Sequence, residues 1–366
     1  MNLKENTKSI IGIQYLRGVA SLMVVLFHAR SYFHTAPEWA RLGSRGVDIF
    51  FVISGFIMVY ATRKIANEIS PLKSCGSFLG KRFIRVVPLY WLALLITAYP
   101  YFVNWYQTAS ITSDLVTIFK DFSFIPHLSI VEDEKGEIFP VLIQGWTLNY
   151  EVFFYVIFGF ALLTRKHRVI TATLILAGLV LLGRLHHFHD IPAIFYTNTI
   201  LLEFIYGMLL YEIYEKTHDL KFNQMILWSL AIVGFLLLNI GSGTNNKVVL
   251  GAASALIVWV FIQAFRDTHF RPLQVLGDAS YSIYLFHLVA FDLARSIVAY
   301  FSINPSGYVN VITIVAIHVA CSIVIGIAIY YFVEKPLLAV MRNGFDKVSK
   351  YGTNWFSQLS RAESYK

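Results

Sequence analysis

The sequence predicts an all-α polytopic membrane protein of about ten transmembrane helices with both termini cytoplasmic. Three observations carry that expectation. Of 366 residues, 57% are apolar and only 14% are charged. Mean hydropathy is +0.60. Apolar windows of roughly 17 to 25 residues, the length that crosses a hydrocarbon core, recur along the chain.

The first span, at 13–33, follows Lys4 and Lys8, and no small-residue cleavage site comes after it, so it reads as an uncleaved signal anchor. The second, at 46–62, opens on GVDIFFVISGF. The third, at 88–106, begins at Pro88, a residue suited to a first helical turn, and the basic stretch Pro71 to Val87 before it is expected along the cytoplasmic interface. The fourth and fifth, at 146–164 and 168–183, are separated only by Arg165, Lys166, His167 and Arg168, a basic break that makes a good turn at a cytoplasmic surface. Shorter apolar runs at 194–211, 225–241 and 247–265 supply the next three, and 281–301 and 308–333 the last two. Residues 1–336 are expected to form one membrane domain and 337–366 a cytoplasmic tail.

Positively charged loops stay inside, and with both termini inside most lysines and arginines fall on cytoplasmic segments, among them Arg63, Lys64, Lys73, Lys81, Arg82 and Arg85. The longest opposite loop, about 107–145, carries Asp114, Asp121, Glu132, Asp133, Glu134 and Glu137 against Lys120 and Lys135. Topology therefore accounts for the net charge of +8, and nucleic acid is not needed as a partner. Cys75 lies in a basic stretch and Cys321 in an apolar one, which gives a disulfide framework no support. His186, His187, His189 and Asp190 are ligand-type residues, but consecutive loop histidines lack the i, i+4 geometry of a helical metal site, so no metal is expected.

Ionisable groups inside spans are costly and usually face a cavity or a partner. Span one carries Arg17 and His28, eleven residues apart, which places them on one helical face about 16 Å apart along the axis. The pair reads either as the lining of a passage or as a snorkelling arginine and a packing histidine. Asp48 opens span two on the side of His28, where it could orient an imidazole or cap its own helix. Glu151 begins span four on the same side, after Trp146, Asn149 and Tyr150, and Ser54-Gly55 reads as helix packing rather than as a nucleophile. His287 and His318 lie in the last two spans, and Asp292 and Arg295, at i, i+3, read as a structural pair.

Six blocks in order give the chain a family likeness: YLRGVASLMVVLFHA (15–29), GVDIFFVISGF (46–56), KRFIRVVPLYW (81–91), WTLNYEVFFY (146–155), GDASYSIYLFHL (277–288) and VEKP (333–336). Together they resemble the acyltransferase-3 family of membrane acyltransferases, in its exopolysaccharide and O-antigen acetyltransferase branch. The resemblance implies transfer of acetyl from cytoplasmic acetyl-CoA to a hydroxyl of a lipid-linked or surface polysaccharide, in a bacterial inner membrane. It implies a catalytic His28 with Arg17 as its motif partner; Asp48 and Glu151, from their place at the same ends of spans two and four, are expected beside them. It further implies Arg82 and Arg85 as the basic surface that receives the CoA phosphates; Lys81, Tyr281 and His287 are expected beside them at the donor, and Trp146, Asn149 and Tyr150 are the candidates for acceptor binding or an oxyanion donor, among which the sequence does not choose. A glycan flippase, a non-catalytic scaffold and a succinyl transferase are the rival readings. The sugar, the ring position and the oligomeric state, a homo-oligomer included, stay open.

Overall fold

The computed structural model describes residues 10–30, 42–63, 70–108, 113–131, 135–304 and 307–347; Lys4, Lys8, Lys64, Glu132, Asp133 and Glu134 lie outside them. Among the described residues the chain is helical and has no strand. In hydrocarbon, a helix satisfies its backbone donors and acceptors from within, which is why long apolar runs adopt it. In chain order the helices are α1 (Ile11–Ala29), α2 (Gly46–Thr62), α3 (Pro71–Thr108), α4 (Ser113–Phe122), α5 (Gly145–Ala161), α6 (Arg168–Leu185) and α7 (Ile191–Tyr196). They continue with α8 (Leu201–Thr217), α9 (Gln224–Thr244), α10 (Lys247–Ala264), α11 (Arg271–Asp278), α12 (Ser280–Tyr300) and α13 (Tyr308–Ile329).

Nine helical runs among the described residues are long and apolar enough to cross a membrane, against the expected ten. The difference lies in the run 145–185, which comprises both α5 and α6. Between them Leu162–His167 forms a tight turn in which Arg165 adopts φ 53°, and the two helices pack against each other.

Pro88 does not open the third helix. α3 is continuous from Pro71 to Thr108 with Pro88 and Pro100 inside it, because neighbouring helices in a membrane compensate the hydrogen bonds that proline removes. Its 38 residues span roughly 57 Å, more than the ~30 Å hydrocarbon core, so the basic stretch and the span are one rod. At the other end of the chain, α13 passes through a wide π-type turn, Tyr330–Glu334, and the helix runs on through residue 347, past the expected tail boundary. There Phe345 covers Gly80 so closely that a Cβ on Gly80 would stand 2.3 Å from its ring.

α1 packs against α2, α10, α11, α12 and α13 and is the centre of the bundle. α2 crosses α8 in intimate contact through two glycines: a Cβ on Gly55 would lie 2.2 Å from the Phe204 carbonyl oxygen, and one on Gly207 would lie 2.1 Å from that of Val52. Small residues let membrane helices approach to this distance. The crossing fixes which face of α2, with Ser54, turns toward α5.

Candidate active site

Side chains from α1, α2, α3, α5 and α12 line a cavity of about 830 Å³, including the space at its mouth. Arg17, Arg82 and Arg85 face it together with Glu151. Arg82 and Arg85 share a helical face by their i, i+3 spacing, whereas Lys81 falls off that face and is exposed. Arg85 is paired with the buried carboxylate of Glu334, whose other oxygen accepts from Ser282 Oγ at 2.6 Å. Tyr281 lines the cavity and donates its hydroxyl to the Val86 carbonyl at 2.7 Å. Glu151 accepts from the Tyr155 hydroxyl and, at 3.4 Å, from Ser54 Oγ. Just before α12, Asp278 also feels Arg17 and Arg85: burial pushes its carboxyl up, and those guanidinium groups pull against the shift.

His28 stands at the opposite end of α1 from Arg17 and is not part of that wall. Its Nδ1 lies 3.0 Å from the Val24 carbonyl oxygen and 3.1 Å from Nε2 of His287, with ring centroids 4.8 Å apart. His287 is fully buried, and its Nδ1 donates to the Tyr284 carbonyl at 2.6 Å. Tyr284 links the two regions. Its carbonyl holds His287, its side chain lines the cavity, and its hydroxyl stands 2.7 Å from Thr147 Oγ1 and 3.0 Å from the Gln144 carbonyl oxygen.

Several expected placements are corrected. Asp48 does not orient His28. It is 2% exposed and bonds Lys247 Nζ at 2.7 Å and Arg45 at 3.5 Å, and Lys247 also reaches the fully buried Glu203 at 3.1 Å. The lysine at the start of α10 and the glutamate in α8 draw the carboxylate away from α1, because two buried anions need that cation. Glu151 likewise belongs to the arginine cavity, since one helical turn sets it over Tyr155. His287 sits beside His28 instead of among the arginines.

Trp146, Asn149 and Tyr150 are also displaced from the cavity, whose wall takes Thr147, Leu148 and Glu151 from the same helix. Tyr150 stacks on Phe195 at 3.9 Å and gives its hydroxyl to the Phe195 carbonyl at 3.0 Å. Trp146 packs against Phe51 and Phe139. Asn149 is buried, with an Oδ1 that has no hydrogen-bond partner among the described residues. Asp292 and Arg295 form an exposed ion pair, His318 is buried against Phe291, and Asp190 caps α7 through Ala193 N.

Glu334, Tyr284, Glu203 and Lys247 join these sites without having been expected there. Glu203, like Asp48, is an intramembrane carboxylate legible in the sequence, and Glu334 stands inside VEKP. Tyr284 acts partly through its backbone, which no residue pattern announces.

The acyltransferase-3 family profile, an acyltransferase domain, matches residues 10–331. The exopolysaccharide production protein ExoZ of Rhizobium meliloti is 33% identical over 316 residues, covering 84% of this chain and 94% of its own. The peptidoglycan O-acetyltransferase OatA of Listeria monocytogenes is 25% identical over 92% of this chain and 57% of its own, and the O-acetyltransferase OatA of Staphylococcus aureus is 23% identical over 89% and 57%. No solved structure matches the chain. With a helical membrane bundle, an arginine-lined cavity and a match that runs through nearly all of it, the chain belongs to the acyltransferase-3 family and is a membrane acyltransferase.

Proposed function

We propose that the protein is a membrane O-acetyltransferase that moves acetyl from acetyl-CoA on the cytoplasmic side to a hydroxyl of a surface or lipid-linked polysaccharide, with His28 as general base. One arrangement carries this reading: α1 presents Arg17 to the arginine cavity and, about 16 Å along the same face, His28 to the imidazole pair. The names of the relatives, exopolysaccharide production and O-acetyl transfer, support the polysaccharide hydroxyl as acceptor. Lys and Arg bias supports the Arg17 end as cytoplasmic and an inner-membrane location.

The cavity suits a phosphorylated donor. Three guanidinium groups face it, and the buried Nε of Arg82 has no hydrogen-bond partner among the described residues. Guanidinium forks grip phosphate better than ammonium groups do. When bound, acetyl-CoA supplies a thioester carbonyl activated for attack. Arg17, Arg82 and Arg85 hold the anionic part, and Tyr281 and Tyr284 line the same cavity, with the Tyr284 carbonyl bonded to His287 beside His28. His28 Nε2 removes the hydroxyl proton as the acceptor oxygen bonds to the acyl carbon, then returns that proton to the departing sulfur.

Purified protein in vesicles, given acetyl-CoA and the host polysaccharide or its lipid-linked repeat, is expected to form an O-acetyl ester and release free thiol in equal amounts. Succinyl-CoA run in parallel tests the acyl group. Glycan crossing the bilayer with no thiol release would replace this reading with the flippase.

A further inference from the structure

We propose that His287 is the positioning residue for His28, accepting the Nδ1–H of that imidazole so that Nε2 is left as the basic nitrogen and the charge formed there is shared across the two rings. This rests on the reading of His28 as the base.

The hydrogen positions follow from the acceptors. A carbonyl oxygen carries no hydrogen, so the 2.6 Å contact between His287 Nδ1 and the Tyr284 oxygen places a hydrogen on that nitrogen. In a neutral imidazole the lone pair is then on Nε2. The hydrogen in the 3.1 Å contact between the rings therefore belongs to His28 Nδ1, and the Val24 carbonyl, 3.0 Å from the same atom, accepts it too. Two independent acceptors select one tautomer of His28.

Val24 lies on the same helix and follows His28 wherever α1 goes, whereas His287 is on α12 and fixes the ring relative to the rest of the bundle. The turn of α12 that carries it is itself braced on the start of α5: Gln144 Nε2 donates to the Leu285 carbonyl at 2.6 Å, and the Tyr284 hydroxyl meets Gln144 and Thr147. A second imidazole suits this place better than a carboxylate. His287 is fully buried, and an anion there would be a charge in hydrocarbon whenever His28 is neutral. With ring centroids 4.8 Å apart, two protonated rings would repel, so the pair carries one extra proton at a time, and the Nδ1–H of a protonated His28 finds its acceptor in place.

A merely packing histidine would be replaceable by any side chain of similar volume, whereas an acceptor would not. His287→Leu keeps the volume and removes the acceptor, and His287→Gln places an amide oxygen near the position of Nε2. In reconstituted vesicles His287→Leu is expected to lower kcat on the order of 10 to 10², with the KM for acetyl-CoA unchanged, and His287→Gln to recover most of the loss. His28→Ala combined with His287→Leu is expected to be no slower than His28→Ala alone. Thermal melting in detergent, expected to be similar for the Leu and Gln variants, separates these effects from misfolding. The inference is overturned if Gln is no better than Leu at equal stability, if KM for acetyl-CoA moves instead of kcat, or if the double loss is additive. Should wild type transfer and His28→Ala fail while the His287 series stays flat, only this inference falls; a wild type that transfers nothing overturns the base and its positioning residue together.

Discussion

Arg85 on α3 and Glu334 in the wide turn after α13 form an ion pair in which the glutamate is 1% exposed and held a second time by Ser282. The pair ties α3 to the turn after α13, with Arg85 at the wall of the arginine cavity. Removing one member of a buried pair leaves the other charge uncompensated. Glu334→Gln is therefore expected to cost about 3 kcal/mol, read as a lower melting temperature in detergent. Glu334→Gln with Arg85→Gln should melt higher than Glu334→Gln alone, and a double variant that melts lower would contradict the pairing as the source of the loss.

Arg82 offers a cleaner probe of donor binding, because its Nε has no hydrogen-bond partner among the described residues. Losing one charge-assisted hydrogen bond is worth about 1.5–3 kcal/mol, so Arg82→Gln is expected to raise the KM for acetyl-CoA on the order of 10- to 100-fold. S-acetylpantetheine, which lacks the phosphates, should show no such change. Equal losses with both donors would remove Arg82 from the phosphate site.

Glu151 and His28 belong to different clusters, one with Tyr155 and Ser54 and the other with His287. Residues that share no partner usually act additively. His28→Ala is expected to lower transfer on the order of 10² to 10⁴ with acetyl-CoA binding intact. Adding Glu151→Gln should multiply its own loss onto that of His28→Ala in kcat/KM. A double variant no worse than His28→Ala would instead bring Glu151 into the imidazole's function.

The buried set Asp48, Glu203 and Lys247 ties α2, α8 and α10 together. Lys247→Met takes the cation from the buried Glu203 and leaves Asp48 the longer contact with Arg45, and is expected to destabilise the protein by about 3–5 kcal/mol. Glu203→Gln leaves Asp48 with both Lys247 and Arg45 and should cost clearly less. Equal melting temperatures for the two variants would show that the lysine is not the compensating charge.

Outside the spans, His127 Nε2 donates to Asp121 at 2.6 Å and Nδ1 to the Leu128 carbonyl at 2.7 Å, while the other Asp121 oxygen accepts from Val141 N at 2.9 Å. Burial works against the charge of His127 most strongly, but the hydrogen bonds to Asp121 and to the Leu128 carbonyl and the charge of Asp121 together outweigh it and raise the imidazole above its ordinary 6.5. A raised folded value means stabilisation that is full below 6.5 and is lost as pH rises through the higher folded value. Melting temperature should therefore fall with rising pH across that window in wild type, and this component should vanish in His127→Gln. A slope shared by both proteins would place its origin elsewhere.

The helical membrane class was determined by the sequence alone, because crossing hydrocarbon demands long apolar runs and those are local in the chain. The one-face relation of Arg17 and His28 was equally local, since 3.6 residues per turn fixes it before any packing. The break between α5 and α6 could be read from four consecutive basic or imidazole side chains. Pro88 misled because a proline's effect on a membrane helix depends on neighbours that the local sequence does not contain.

Pairing across helices was decided only in three dimensions. Asp48 could have turned to His28 on α1, and it was the packing of α10 beside α2 that gave it Lys247. His287 acquired its place beside His28 from the contact of α1 with α12, at 259 residues' separation. A sequence lists which charges must find partners in a low-dielectric interior. Which partner each one finds depends on helix crossings set by small-residue contacts such as Gly55 with Gly207, and those contacts become visible only in the packed bundle.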